Sequence, residues 1–125
     1  MSIEITALDH VNITVPKSLE DEAKRFYGEI LGLREIPKPV ESRGRSGAWY
    51  QIGLVQLHLS VQPDAADKDG SRQHVCYVVK DLAAAEESFR RARVEIYPDK
   101  QPVEGWLRFY VRDPGGNRIE IAQHP

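Results

Sequence analysis

The feature that most limits how this chain can fold is an internal duplication. "HVNITVPKSLEDEAKRFYGEILGL" starts at His10 and "HVCYVVKDLAAAEESFRRARV" starts at His74. Each opens on His-Val, reaches Val15 or Val79 across a short run, and passes through a turn into a helical pattern. Alternating apolar and polar residues mark a strand with one covered face, and apolar residues three and four apart mark one stripe of a helix. The correspondence continues downstream: "QLHLS" around His58 falls where "RIEIA" falls around Glu120. His10 and His74 lie 64 residues apart, and His58 and Glu120 lie 62 apart. Two like modules are implied, each marginal on its own.

Each module carries the same element pattern. The first helix is expected after Ser18 as N-cap, with Glu20, Asp21 and Glu22 in its first turn and Leu19, Ala23, Phe26, Tyr27, Ile30 and Leu31 as its apolar stripe. Gly32 suits its stop. The second helix is expected from Asp81 as N-cap, with Leu82, Ala85, Phe89 and Ala92 on one face. Strand-like runs follow at about 33–40, 47–53 and 54–62, and again at about 94–101, 106–112 and 117–123. "DPGGN", 113–117, is a strong turn between the last two. The predicted class is α+β, a single domain over 1–125 made of βαβββ modules at about 1–62 and 71–125, with 62–71 as the linker.

Composition narrows the function classes. A net charge of −2 with scattered basic residues gives no nucleic-acid footprint. No run approaches the roughly 18 apolar residues of a membrane span, so neither a membrane nor a nucleic acid is expected as partner. The start "MSIEITALDH" lacks the basic, apolar pattern of a signal peptide, and the single cysteine, Cys76, has no internal partner. A reducing cytoplasm is the expected setting.

The alternation puts four titratable residues on matched positions. His10, Asn12 and Thr14 oppose Val11, Ile13 and Val15; His58 lies between Leu57 and Leu59. His74 opposes Val75, and Glu120 lies between Ile119 and Ile121. All four therefore face away from the helix-packed side, and sheets that curl toward each other would gather them. Imidazoles beside one carboxylate form a nitrogen/oxygen set suited to a divalent transition metal. His10, His74 and Glu120 are the expected ligands, with His58 as the candidate fourth.

The duplicated βαβββ pattern, "DHV" and "QHV", "FYGEILGL" and "RFYVRDPGGNRIEI" resemble the vicinal oxygen chelate superfamily, which includes glyoxalases, bleomycin-resistance proteins, extradiol dioxygenases and fosfomycin-resistance enzymes. The resemblance implies an eight-stranded, cup-like open barrel with helices outside. It implies one divalent ion (Mn, Fe, Co, Ni or Zn) held by His10, His74 and Glu120, with His58 at the remaining ligand position. It further implies a small oxygenated substrate, Lewis-acid chemistry and a homodimer. Departures from the pattern are specific. Glyoxalase I carries Glu where His58 stands, and an imidazole is a weaker base near neutral pH. Fosfomycin-resistance enzymes carry Thr where Asn12 stands.

The same faces name further candidates. His58 and Tyr110 are expected in catalytic roles; Asn12, Trp49, Arg108 and Tyr110 are expected to touch substrate, Arg108 as a bidentate fork for an anionic or oxygen-rich group. The polar loop 41–47 is expected to be solvated, and Cys76 to serve as a pocket residue without nucleophilic function. The competing reading is a metal-independent protein that binds a small molecule or antibiotic in the same cup.

Overall fold

The computed structural model describes residues 2–63 and 68–125. Part of the expected linker, 64–67, lies outside the described residues. The chain runs β1 (His10–Val15), α1 (Glu20–Arg25), β2 (Arg34–Ile36), β3 (Ala48–Ile52) and β4 (Val55–Val61). The second module repeats it as β5 (His74–Val78), α2 (Leu82–Arg91), β6 (Tyr97–Pro98), β7 (Leu107–Arg112) and β8 (Arg118–Gln123). Two four-stranded sheets result, ordered β1-β4-β3-β2 and β5-β8-β7-β6, and they do not close into a barrel. In each, the first strand pairs in parallel with the fourth, and the remaining pairings are antiparallel. No helix among the described residues is long and apolar enough to cross a membrane.

Local chemistry sets the element ends. Asp81 caps α2 by accepting from the Ala84 N–H at 3.1 Å. The start of α1 differs from expectation. Ser18 makes no capping bond; Lys17–Leu19 form a single tight turn after Pro16, and α1 begins at Glu20. Its Glu20 side chain is drawn instead to Gly47, whose N–H donates to Oε2 at 2.7 Å. After Arg25 the helix widens into a π-turn, Phe26–Ile30, in which the Leu31 N–H donates to Phe26 O at 2.8 Å. Phe26 and Tyr27, adjacent in sequence, are thereby both buried.

β2 and β6 are shorter than the apolar runs suggest. Pro37 and Pro39 follow β2, and Pro98 ends β6; proline has no N–H for a ladder. Both are outer strands of their sheets.

The two modules share one core. Val15, Tyr27, Tyr50 and Leu57 from the first join Phe89, Phe109, Val111, Ile119 and Ile121 from the second. The turn 113–117 is the joint. Asp113 accepts from the Tyr27 hydroxyl at 2.6 Å and from the Asn117 N–H at 2.9 Å; Asn117 Nδ2 donates to Asp113 at 2.7 Å and to Thr14 O at 3.0 Å. Gly115 lies so close that a Cβ there would meet a Val15 methyl at 2.6 Å. Module two thus abuts the Thr14–Val15 end of β1. His10 stands at the other end of that strand, about 16 Å along it.

Candidate functional site

The four matched residues form two pairs. His74 and Glu120 lie together: His74 Nε2 faces Glu120 Oε1 at 3.1 Å. His10 and His58 lie together with rings stacked, centroids 4.1 Å apart. Among the described residues, no group of three or more His, Cys, Asp or Glu side chains surrounds a common point. The two pairs lie on different sheets, His10 and His58 on neighbouring strands of the first and His74 and Glu120 on neighbouring strands of the second.

Glu120 is only 4% exposed and well supplied with donors. Its Oε2 accepts from Trp106 Nε1 at 3.0 Å and from Cys76 Sγ at 3.4 Å, and its Oε1 lies 3.7 Å from Arg108. Burial pushes its carboxyl upward, but Trp106, Cys76, Arg108 and His74 outweigh that and hold it below the usual range. It is therefore an anion at neutral pH. The Cys76 thiol is pushed up to about 12, by burial first and then by Glu120, so it stays protonated and is no nucleophile.

The histidine hydrogen bonds determine which nitrogen is available. His74 Nδ1 lies 2.9 Å from Arg72 O, and a carbonyl only accepts, so Nδ1 carries the proton. In the neutral ring Nε2 then presents a lone pair to Glu120 Oε1. Two acceptors cannot face each other at 3.1 Å unless the ring gains a second proton or a cation joins them. His10 repeats the arrangement: Nδ1 lies 2.8 Å from Asp9 Oδ2, leaving Nε2 open. A second hydrogen bond that fixes the tautomer and frees the other nitrogen is the usual support of a metal-binding imidazole. His74 and Glu120 place one nitrogen and one oxygen donor side by side, a pair whose chemistry fits a divalent transition ion, while His10 belongs to the other sheet.

His58 is differently placed. It is 8% exposed, sandwiched between His10 and Trp49, with the indole 3.7 Å away and 3° from parallel. Its Nε2 lies 2.9 Å from Gln56 Oε1. Burial, then the neighbouring His10, lowers its pKa, so the ring is neutral near pH 7.

The expected substrate residues divide. Trp49 is committed to the His58 stack, and Asn12 accepts from the Ser60 hydroxyl at 2.6 Å. Arg108 is largely occupied: Nε pairs with Asp99 Oδ2 at 2.9 Å and an NH2 donates to Gln101 O at 3.0 Å. Tyr110 sits edge-on to His74 at 5.8 Å, and its hydroxyl pKa is raised by burial first and then by Glu120. Sequence reading did not single out Trp106 as a donor to Glu120, Asp99 as the partner of Arg108, or Arg118 as a site residue. The signal for Arg118 was present, because it lies two positions before Glu120 on the same strand face.

The fold, two βαβββ modules with imidazole and carboxylate on equivalent strands, defines a class of scaffold. Residues 7–121 match the model of the Glyoxalase/Bleomycin resistance protein/Dioxygenase superfamily, and the chain belongs to that superfamily. A metapyrocatechase from Geobacillus stearothermophilus is 25% identical over 95% of the chain, which spans only 37% of that relative's length. A virulence protein of Salmonella typhimurium is 26% identical over 96% of this chain and 85% of its own. The crystal structure of a glyoxalase family protein from Bacillus anthracis superposes with a TM-score of 0.88 at 34% identity, each chain covered completely.

Proposed function

We propose that the protein is a divalent-metal enzyme acting on a small oxygenated substrate. The chain would serve as one glyoxalase-like domain in the cytoplasm. The observation that carries the reading is the His74–Glu120 pair, a freed imidazole nitrogen and a buried carboxylate oxygen 3.1 Å apart. When bound, the ion supplies Lewis-acid stabilisation of negative charge on substrate oxygen. The protein's own part is to keep Glu120 ionised through Trp106 and Cys76, to hold His74 by the Arg72 carbonyl, and to present Tyr110 as a protonated hydroxyl donor. His58, neutral and buried beside His10, would act as a proton acceptor only where a second copy brings its first sheet to the site. In this reading the third ligand, His10, comes from a second copy of the chain, because each chain holds its two pairs on separate sheets.

Metal analysis of protein purified without chelator tests this. Near-stoichiometric Mn, Fe, Co, Ni or Zn is expected, and His74→Ala and Glu120→Ala should each lose it. An ion retained by both variants would sink the proposal. Turnover of the methylglyoxal–glutathione hemithioacetal, of fosfomycin with a thiol, and of a catechol with dioxygen separates the reaction types. A second reading, small-molecule sequestration without metal, draws on the absence of a three-ligand group within one chain among the described residues. It predicts ligand binding without turnover and without sensitivity to chelator.

A further inference from the structure

Beside the His74–Glu120 pair lies an open cleft of about 770 Å³ between β5, β7 and β8. Five cationic side chains line it against three carboxylates. Two of those carboxylates, Asp99 and Glu120, are already engaged by Arg108. Of the other cations, two stand directly opposite each other in the sheet. Arg112 on β7 and Arg118 on β8 are direct partners in the antiparallel register, and both point into the cleft with Tyr110 and Glu120. Like charges opposite each other on one sheet face repel. Among the described residues no carboxylate lies within ion-pair distance of either. Arg112 donates to carbonyls, Gly116 O at 2.8 Å and Lys68 O at 3.5 Å.

Arg118 is the freer of the two. Its guanidinium carbon lies 4.1 Å from the centre of the Tyr110 ring, which positions the charge against a π face. Among the described residues, one of its five N–H donors is used, toward Arg72 O at 3.4 Å. Arg118 also pairs with His74 in the β5–β8 register, so it borders the proposed metal ligands on the strand itself.

We propose that this cleft binds the anionic group of the substrate, a carboxylate or phospho-type oxyanion, and that Arg118 is the residue that holds it. A bound oxyanion relieves the Arg112–Arg118 repulsion and takes the unused fork in charge-assisted hydrogen bonds. The substrate class is thereby narrowed from oxygenated to anionic. The assignment rests on the reading of the His74–Glu120 face as the substrate site, but its test does not need the metal.

The test uses protein stripped of metal and then dialysed free of chelator, because chelators are themselves anions. Inorganic phosphate and, separately, succinate are titrated while arginine side-chain N–H signals are followed by NMR. Saturable shifts at Arg118 are expected with at least one probe, and Arg118→Gln should weaken that binding about tenfold or more. Arg90→Gln on α2 makes the same charge change at a distant ion pair and should bind as wild type. No saturable binding of either probe overturns the proposal, as does an equal loss in both variants. If Arg118→Gln does not fold, the wild-type shifts and Arg112→Gln carry the same decision. Cobalt titration of wild type and His74→Ala reads the metal site separately, so the two readings can fail independently.

Discussion

The Glu20 carboxylate closes a loop 27 residues downstream by accepting the Gly47 N–H, and this is a role no helix-start rule assigns to it. The Gly47 hydrogen bond, ahead of the Lys24 contact, lowers its pKa below the ordinary value of 4.5. A carboxyl depressed in the folded state binds fewer protons there than in the unfolded chain. Its contribution is therefore complete above the ordinary value and disappears as pH falls through the depressed one. Glu20→Gln should be less stable than wild type by about 1 kcal/mol near pH 7 in urea unfolding. That gap should close once the pH drops well under 4.5; a gap independent of pH would contradict the assignment. At the same scale, Tyr27 and Asp113 explain why "FYGEILGL" and "DPGGN" occur in one chain. They are 86 residues apart in sequence and joined by a 2.6 Å hydrogen bond buried between the modules. Part of what carries the resemblance is thus structural.

The turn between β7 and β8 shows what an element can and cannot announce. "DPGGN" reads as a turn by composition alone. Gly116 meets that reading, with φ at 86°, where a side chain would be strained. Gly115 does not need a positive φ; it is required by Val15 of the other module. Gly115→Ala should therefore cost about 1–3 kcal/mol by overpacking, read as a lowered melting temperature. Combining it with Val15→Ala should recover part of the loss, a coupling expected only of residues in contact. Additive effects would show that Gly115 acts through its own backbone. The loop 41–47 is a parallel case: its polar, glycine-rich composition suggests a solvated segment, and 41–46 are exposed or half-buried, while the buried Gly47 is held by Glu20 and the Lys38 ammonium bonds to the Arg45, Ser46 and Gly47 carbonyls.

Over the whole molecule, the exposed edges and the divided site point the same way. β1 and β5 are outer strands of their sheets, and each carries one of the proposed ligands at its first residue. An unpaired strand edge is a surface suited to a second copy. If the ligands of one site come from two chains, His10→Ala and Glu120→Ala each bind no metal alone. Mixing them under conditions of subunit exchange should restore metal that neither holds, because one of the two sites in a mixed dimer is intact. Equilibrium sedimentation should show a dimer at micromolar concentration. A monomer, or a mixture that stays metal-free, would refute the shared site.

Duplication, alternation and turn chemistry determined the βαβββ modules, the α+β class, the helix-covered faces and the four matched positions, because those depend on residues close together in sequence. The lengths of β2 and β6 were overestimated because hydrophobicity extends through prolines that cannot join a ladder. Only the tertiary structure decided how the matched positions combine. His74 and Glu120 meet because β5 and β8 are hydrogen-bonded neighbours, and His10 meets His58 because β1 and β4 are. The two pairs belong to different sheets, so strand pairing alone does not join them. The same holds for Arg108 and Arg118, equal as charges on alternating strands. Asp99 and Gln101 hold Arg108, whereas Arg118 lies against the Tyr110 ring.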